Sequence, residues 1–142
     1  MYYQNKVHLY WLLTCCITLL ILIIVGGLTR LTDSGLSITN WEIFTGILPP
    51  LNQQEWSDYF KLYKQIPEYK QINFDMSLSE FKIIFWWEYA HRILARFTVI
   101  IFVVPMTFFI LNKEIRYQKL TLSLFVCFLF FLQGFLGWYM VK

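Results

Sequence analysis

Three long uninterrupted apolar blocks, at residues 7–29, 97–112 and 120–141, constrain this chain more than any other feature. The first holds His8 as its only side chain titrating near neutral pH, and the other two carry no charge. A hydrocarbon core of ~30 Å takes about 20 residues of helix. Blocks one and three meet that length, and block two meets it if its helix begins earlier. With 58% apolar and 15% charged residues, against about 45–50% and ~25% in a globular domain, the chain has more apolar surface than a fold of its size can bury. Membrane lipid is the expected cover. The expected fold class is an all-α membrane protein with three transmembrane helices.

This composition excludes a compact soluble enzyme and a disordered tail. A nucleic-acid module is excluded too, because the net charge of +3 forms no basic stripe. Cys15, Cys16 and Cys127 all fall inside apolar blocks, so none makes a loop disulfide, and two histidines give a Cys/His zinc site no support. Block one exceeds the 7–15 apolar residues usual in a signal peptide and lacks a good small-residue cleavage site. It is read as a retained first span.

Charge sets the expected orientation. The short segment 112–119 carries Lys113, Arg116 and Lys119 against Glu114 alone, and Lys6 joins the amino terminus in the N-terminal tail. Short Lys/Arg-rich loops stay on the cytoplasmic side, which puts the N-terminus inside and the loop at about 30–77 outside. Tyr10 and Trp11 mark the inner end of span one, Trp86 and Trp87 the outer approach to span two, and Trp138 and Tyr139 the outer end of span three.

The outer loop has structure of its own. Asn52 and Glu55 form a capping pair after Pro49-Pro50, and Trp56, Tyr59, Phe60 and Tyr63 recur at helical spacing until Pro67 stops the pattern. A short amphipathic helix is expected there, on the membrane surface or against the bundle. Ser77 and Glu80 form a second capping box, so the helix holding span two can run over 78–111, with Pro105 a possible kink. Such a helix measures ~50 Å and its first turns protrude outward. The spans are placed at about 7–29, 86–111 and 120–141.

The richest chemistry lies in Trp86-Trp87-Glu88-Tyr89-Ala90-His91-Arg92-Ile93-Leu94-Ala95-Arg96. Ionisable groups near lipid are costly and face a bundle interior or a cavity. At 100° per residue, Glu88, Arg92 and Arg96 drift only ~40° per step, and His91 lies ~60° from Glu88. All four can line one pocket. A neutral imidazole can ligate haem iron, and guanidinium forks suit haem propionates. The plain alternative is an i,i+4 Glu88–Arg92 pair, worth roughly 0–1 kcal/mol at a wet interface, with Arg96 snorkelling to the headgroups. One Glu-x-x-His step does not make a di-iron site, which needs two. His8 reads as interfacial, and Gln133, Gly134 and Gly137 as a close-packing stripe.

These residues resemble the haem A synthases across nearly the whole chain. The likeness starts with Gly26-Gly27-Leu28-Thr29-Arg30-Leu31-Thr32-Asp33-Ser34-Gly35-Leu36-Ser37 and passes through Gly46-Ile47-Leu48-Pro49-Pro50, Glu55-Trp56 and Pro67-Glu68-Tyr69. It continues with Glu80-Phe81-Lys82, Glu88-Tyr89-Ala90-His91-Arg92 and Leu132-Gln133-Gly134-Phe135-Leu136-Gly137-Trp138. The resemblance implies an eight-span enzyme of two four-helix halves, each with a pair of haem-ligating histidines. It implies oxidation of the C8 methyl of haem O to the formyl of haem A, by successive hydroxylation and loss of water. His91 matches the first histidine of the N-terminal half, an axial ligand of haem iron. Glu88 matches the catalytically important carboxylate one turn earlier, Arg92 follows as in the family, and Arg92 and Arg96 are the candidates for haem propionates. A b-type haem cofactor is implied for the C-terminal half. Implied partners are haem O, membrane lipid, that C-terminal half or a second copy, haem O synthase and cytochrome oxidase assembly factors. The implied location is the bacterial inner membrane, or alternatively that of mitochondria.

The sequence departs from the pattern in places. Ala95 stands where glycine is common, and Glu42-Ile43 lacks the proline that often follows the loop tryptophan. No loop cysteine pair is present, as in the cysteine-free mitochondrial and related bacterial branch. The chain stops at Lys142, so the expectation is an incomplete fragment, without the fourth span, its partner histidine and the C-terminal half, and inactive alone. The alternative is a non-catalytic membrane remnant or split-subunit interaction module. A small transporter or channel subunit rests only on the Glu/Arg cluster.

Overall fold

The computed structural model describes residues 2–39, 48–114 and 117–141; Glu42, Ile43, Gly46, Ile47 and Arg116, singled out above, lie outside them. Its described elements are five α-helices, α1 (Tyr2–Leu31), α2 (Gln53–Tyr63), α3 (Pro67–Gln71), α4 (Leu78–Leu111) and α5 (Tyr117–Val141). Three of them contain segments long and apolar enough to cross a membrane, Lys6–Leu31, Leu78–Leu111 and Lys119–Val141. The protein is an all-α, multi-pass membrane protein.

The helix starts follow from side-chain capping. Asn52 Oδ1 accepts from the Glu55 N–H at 2.8 Å, while Glu55 reaches back to the Leu51 N–H at 2.7 Å. At α4, Glu80 Oε2 accepts from the Ser77 N–H at 2.7 Å and Ser77 Oγ accepts from the Glu80 N–H at 3.3 Å. Both pairs satisfy N–H groups that a helix start leaves without an intrahelical partner. Pro67 does more than end a pattern: it occupies the first turn of α3, where its missing N–H costs nothing. Helix α4 continues through Pro105.

The chain divides into two compact units, one joining the residues up to Leu22 with Leu94–Met140, the other comprising Ile23–Ile93. In the first, Cys15, Phe102 and Met106 form a buried core against Trp11, Ile110, Val126 and Phe130. The Trp11 indole N–H donates to the Ile101 carbonyl at 3.0 Å, and His8 lies against Phe109 with Nε2 3.7 Å from Glu114 Oε2. His8 thus has a packed ring and an acidic neighbour within this unit. Along α5, Gln133 and Gly134 are exposed, and a Cβ on Gly134 would meet nothing within 4 Å. At Gln133 and Gly134 the close packing expected of that stripe is not made among the described residues.

In the second unit the aromatic face of α2 packs on the start of α4. Trp56, Tyr63, Phe81, Ile84 and Phe85 are buried together, with Trp56 edge-on to Phe85 at 4.9 Å between centroids. Edge-to-face aromatic pairs add about 0.5–1.5 kcal/mol beyond the area they bury. The amphipathic helix therefore spends its apolar face on α4 rather than on lipid. That packing braces the part of α4 that carries Glu88 and His91.

Candidate haem-ligand site

Glu88 sits at the centre of the most highly connected polar cluster among the described residues. It is only 7% exposed, yet both carboxylate oxygens are fully partnered within Ile23–Ile93. Oε2 accepts from Ser37 Oγ at 2.6 Å and from the Ile38 N–H at 2.8 Å. Oε1 accepts from Arg92 Nε at 2.9 Å and Nη2 at 2.6 Å. Arg92 Nη2 also donates to the Ile38 carbonyl at 2.8 Å, so the ion pair clasps the backbone of one loop residue from both sides. A carboxylate accepts about four hydrogen bonds, and this one receives four from the chain itself.

The i,i+4 spacing that suggested a surface pair is therefore correct, but the wet interface is not. Residues after α1 fold back over the pair: Ser37 is 1% exposed, Ser34 is fully buried, and Glu88 is shielded. The small surface-pair energy does not apply to an ion pair enclosed in this way.

His91 lies one turn on, half-buried, with its ring against α1. A Cβ added to Gly26 would stand 3.2 Å from His91 Nε2 and 3.5 Å from Cδ2. The α1 residue facing the imidazole edge is thus one with no side chain. Gly27, its neighbour, faces open space. The structure brings Glu88, Arg92 and the His91 backbone turn into one region, whereas Arg96 belongs to the other compact unit and is partly buried there. Among the described residues no group of three or more His, Cys, Asp or Glu could hold a metal ion.

Ser37, Ile38 and Gly26 were not assigned to the site by residue chemistry. Gly26 and Ser37 stand in the glycine-rich stretch that carried the resemblance, but nothing in local periodicity pairs position 37 with position 88. A shallow groove of about 480 Å³, lined by Thr32, Asn73, Asp75, Met76, Glu80 and Ile83 among others, lies elsewhere on this unit. It contains neither Glu88 nor His91, and its one capping carboxylate, Glu80, is already engaged by Ser77.

Comparison with known proteins agrees with the residue pattern. A family model for the cytochrome oxidase assembly protein matches residues 9–142. The chain is 59% identical over 134 residues to the haem A synthase of Pelagibacter ubique, covering 93% of this chain and 39% of that protein. It is 50% identical over 132 residues to the haem A synthase of Rickettsia bellii, with coverages of 93% and 39%. With the haem A synthase of Nitrosospira multiformis it shares 49% over 133 residues, with coverages of 93% and 37%. The chain thus spans about two-fifths of the length of these relatives. No solved structure matches it.

Proposed function

Because the chain belongs to the cytochrome oxidase assembly protein family, we propose that it supplies the N-terminal haem-binding region of a haem A synthase, acting in oxidation of the C8 methyl of haem O to a formyl group. The observation that carries this reading is the setting of His91, an imidazole held one turn from a buried, fully bonded Glu88–Arg92 pair and facing a glycine on α1. An axial histidine needs a fixed ring with one nitrogen open to iron. Packing of α2 on α4 braces the helix a turn or more before His91, and the α1 residue that lies against Nε2 carries no side chain.

In this reading His91 would hold haem iron, Arg92, one residue on in the same unit, is the propionate candidate, and Glu88 is the carboxylate the reaction depends on. When bound, haem O is the substrate, and its oxidation draws on a b-type haem cofactor assigned to the C-terminal half of a full-length synthase. The role of this chain's residues is to bind and orient. His91 would hold the iron of the macrocycle, and the Glu88–Arg92 pair keeps a charged cluster rigid one turn away without leaving either charge unpaired in a low-dielectric setting. Partners in this reading are haem O, lipid and the C-terminal half.

Titrating haem into the detergent-solubilised chain tests the assignment. His91→Ala is expected to abolish or shift the haem absorption band while leaving helix content unchanged, because it removes the protein bond to iron from this region. An unchanged spectrum removes the ligand assignment.

The reading also places the protein in a bacterial inner membrane with its N-terminus cytoplasmic, supported by the basic 112–119 segment. With Cys15, Cys16 and Cys127 replaced, Ser57→Cys should label from the periplasmic side and Gln118→Cys only after the cytoplasmic face is opened. The reverse pattern would invert the topology.

A further inference from the structure

The turn that follows α1 is the least expected piece of backbone in the described chain. Asp33 and Leu36 have φ of 47° and 72°, and a bulky residue such as leucine rarely enters that left-handed region. Neither is glycine, although Gly35 sits between them. At Asp33 this is an ordinary helix end, with the Ser34 N–H on the Thr29 carbonyl at 3.0 Å and the Asp33 N–H on the Arg30 carbonyl at 3.3 Å; at Leu36 it persists only where surrounding contacts over-determine it. Here the contacts are visible. The Ser34 hydroxyl donates to the Thr29 carbonyl at 3.0 Å and shares a hydrogen bond with the Thr32 hydroxyl at 2.6 Å. Beyond Leu36, the Ser37 hydroxyl and the Ile38 N–H converge on one oxygen of Glu88, and Arg92 takes the Ile38 carbonyl.

We propose that Ser37 is a positioning residue for the His91 site: its hydroxyl, with the Ile38 N–H, locks the Glu88 carboxylate against Arg92 and so fixes the face of α4 on which His91 stands. The inference rests on the haem-binding reading of His91 and adds the element that holds it. Ser37 acts through Glu88 and touches no reacting atom. Two features separate this role from ordinary loop packing. Ser37 is buried, and its hydroxyl donates to a charged acceptor, the class of hydrogen bond whose loss is felt most. Leu36 immediately before it holds a left-handed φ of 72°, a conformation a bulky residue rarely adopts, so the backbone that presents the hydroxyl is set by tertiary contacts.

Position 37 offers a graded test. The chain is grafted in place of the corresponding segment of the Pelagibacter ubique relative and expressed in a haem-A-deficient host. Haem O, the singly oxidised alcohol and haem A are then extracted and quantified per bound haem. Ser37→Ala is expected to lower haem A per bound haem about tenfold and raise the share of alcohol, the scale of one hydrogen bond to a charged group. Ser37→Thr, which keeps a hydroxyl, should recover to within about threefold, a shift of well under one such bond. Ser37→Cys keeps the size but donates weakly, and should behave like Ser37→Ala even though it fills the same space. Normal product ratios in both Ser37→Ala and Ser37→Cys would overturn the proposal. Equal loss of bound haem in all three variants would also overturn it, since the hydroxyl would then matter only for folding. Failure of the underlying reading looks different, because His91→Ala would keep its haem band whatever happens at position 37.

Discussion

Glu88→Ala is expected to destabilise the Ile23–Ile93 unit by about 3–5 kcal/mol, the usual cost of removing one partner from a buried, hydrogen-bonded ion pair. Most of that loss comes from what is left behind. Arg92, with its side chain 14% exposed, would keep its charge without its carboxylate. Ser37 Oγ and the Ile38 N–H would lose their shared acceptor in a site closed to water. Glu88→Gln should cost less, because one amide oxygen still accepts from the Ile38 N–H, but its NH₂ then faces the Arg92 guanidinium, donor against donor. Removing both partners should cost less than the sum of the two single changes, since no buried charge is stranded. Hydrogen exchange of the detergent-solubilised chain, read at the amides of 32–38 and of α4, measures the effect. A loss below about 1 kcal/mol for Glu88→Ala would return the pair to the class of solvated surface bridges.

Comparison of this pair with the rest of the chain shows what a linear sequence encodes. Capping at Asn52 and Ser77 was legible because both partners of each box lie three residues apart, within reach of local geometry. The Glu88–Arg92 pair was legible for the same reason, being separated by one helical turn. Its burial was not, because the groups that cover it arrive from Ser37 and Ile38, about fifty positions away. Hydrophobic periodicity marks the faces of helices and says nothing of which polar loop closes over them. The same limit explains α2. Its apolar stripe of Trp56, Tyr59, Phe60 and Tyr63 could have served lipid or protein, and only the partner face at Phe81, Ile84 and Phe85 decides between them. The turn at Asp33 and Leu36 was out of reach for a different reason. Residue preference would have placed the left-handed conformation at Gly35, whereas Asp33 takes it as the local cap of α1 and Leu36 takes it just before Ser37 and Ile38 bond to Glu88.

The glycine pair at the end of α1 yields an expectation that separates helix stability from haem binding. Glycine inside a helix costs about 1 kcal/mol relative to alanine, so Gly26→Ala and Gly27→Ala should each stabilise α1 on backbone grounds. The two positions differ only in what a methyl group would meet. At position 27 it enters open space, whereas at position 26 it stands 3.2 Å from His91 Nε2, closer than an ordinary van der Waals contact. The imidazole must then shift by a few tenths of an ångström, and overpacking of that kind costs about 1–3 kcal/mol. Borne by the complex, in which the ring must return to meet iron, that penalty corresponds to about a fivefold to 150-fold weaker haem affinity. Gly27→Ala should therefore raise the melting temperature and leave the haem titration unchanged, and Gly26→Ala should weaken haem binding without lowering helix content. Gly26→Leu extends the series. Its branched side chain occupies the space beside Nε2 outright and should remove the haem band as completely as His91→Ala. Equal haem affinity for Gly26→Leu and the unaltered chain would mean that the imidazole edge facing α1 is not involved in binding iron, and would move the ligand function to the opposite face of the ring or away from His91.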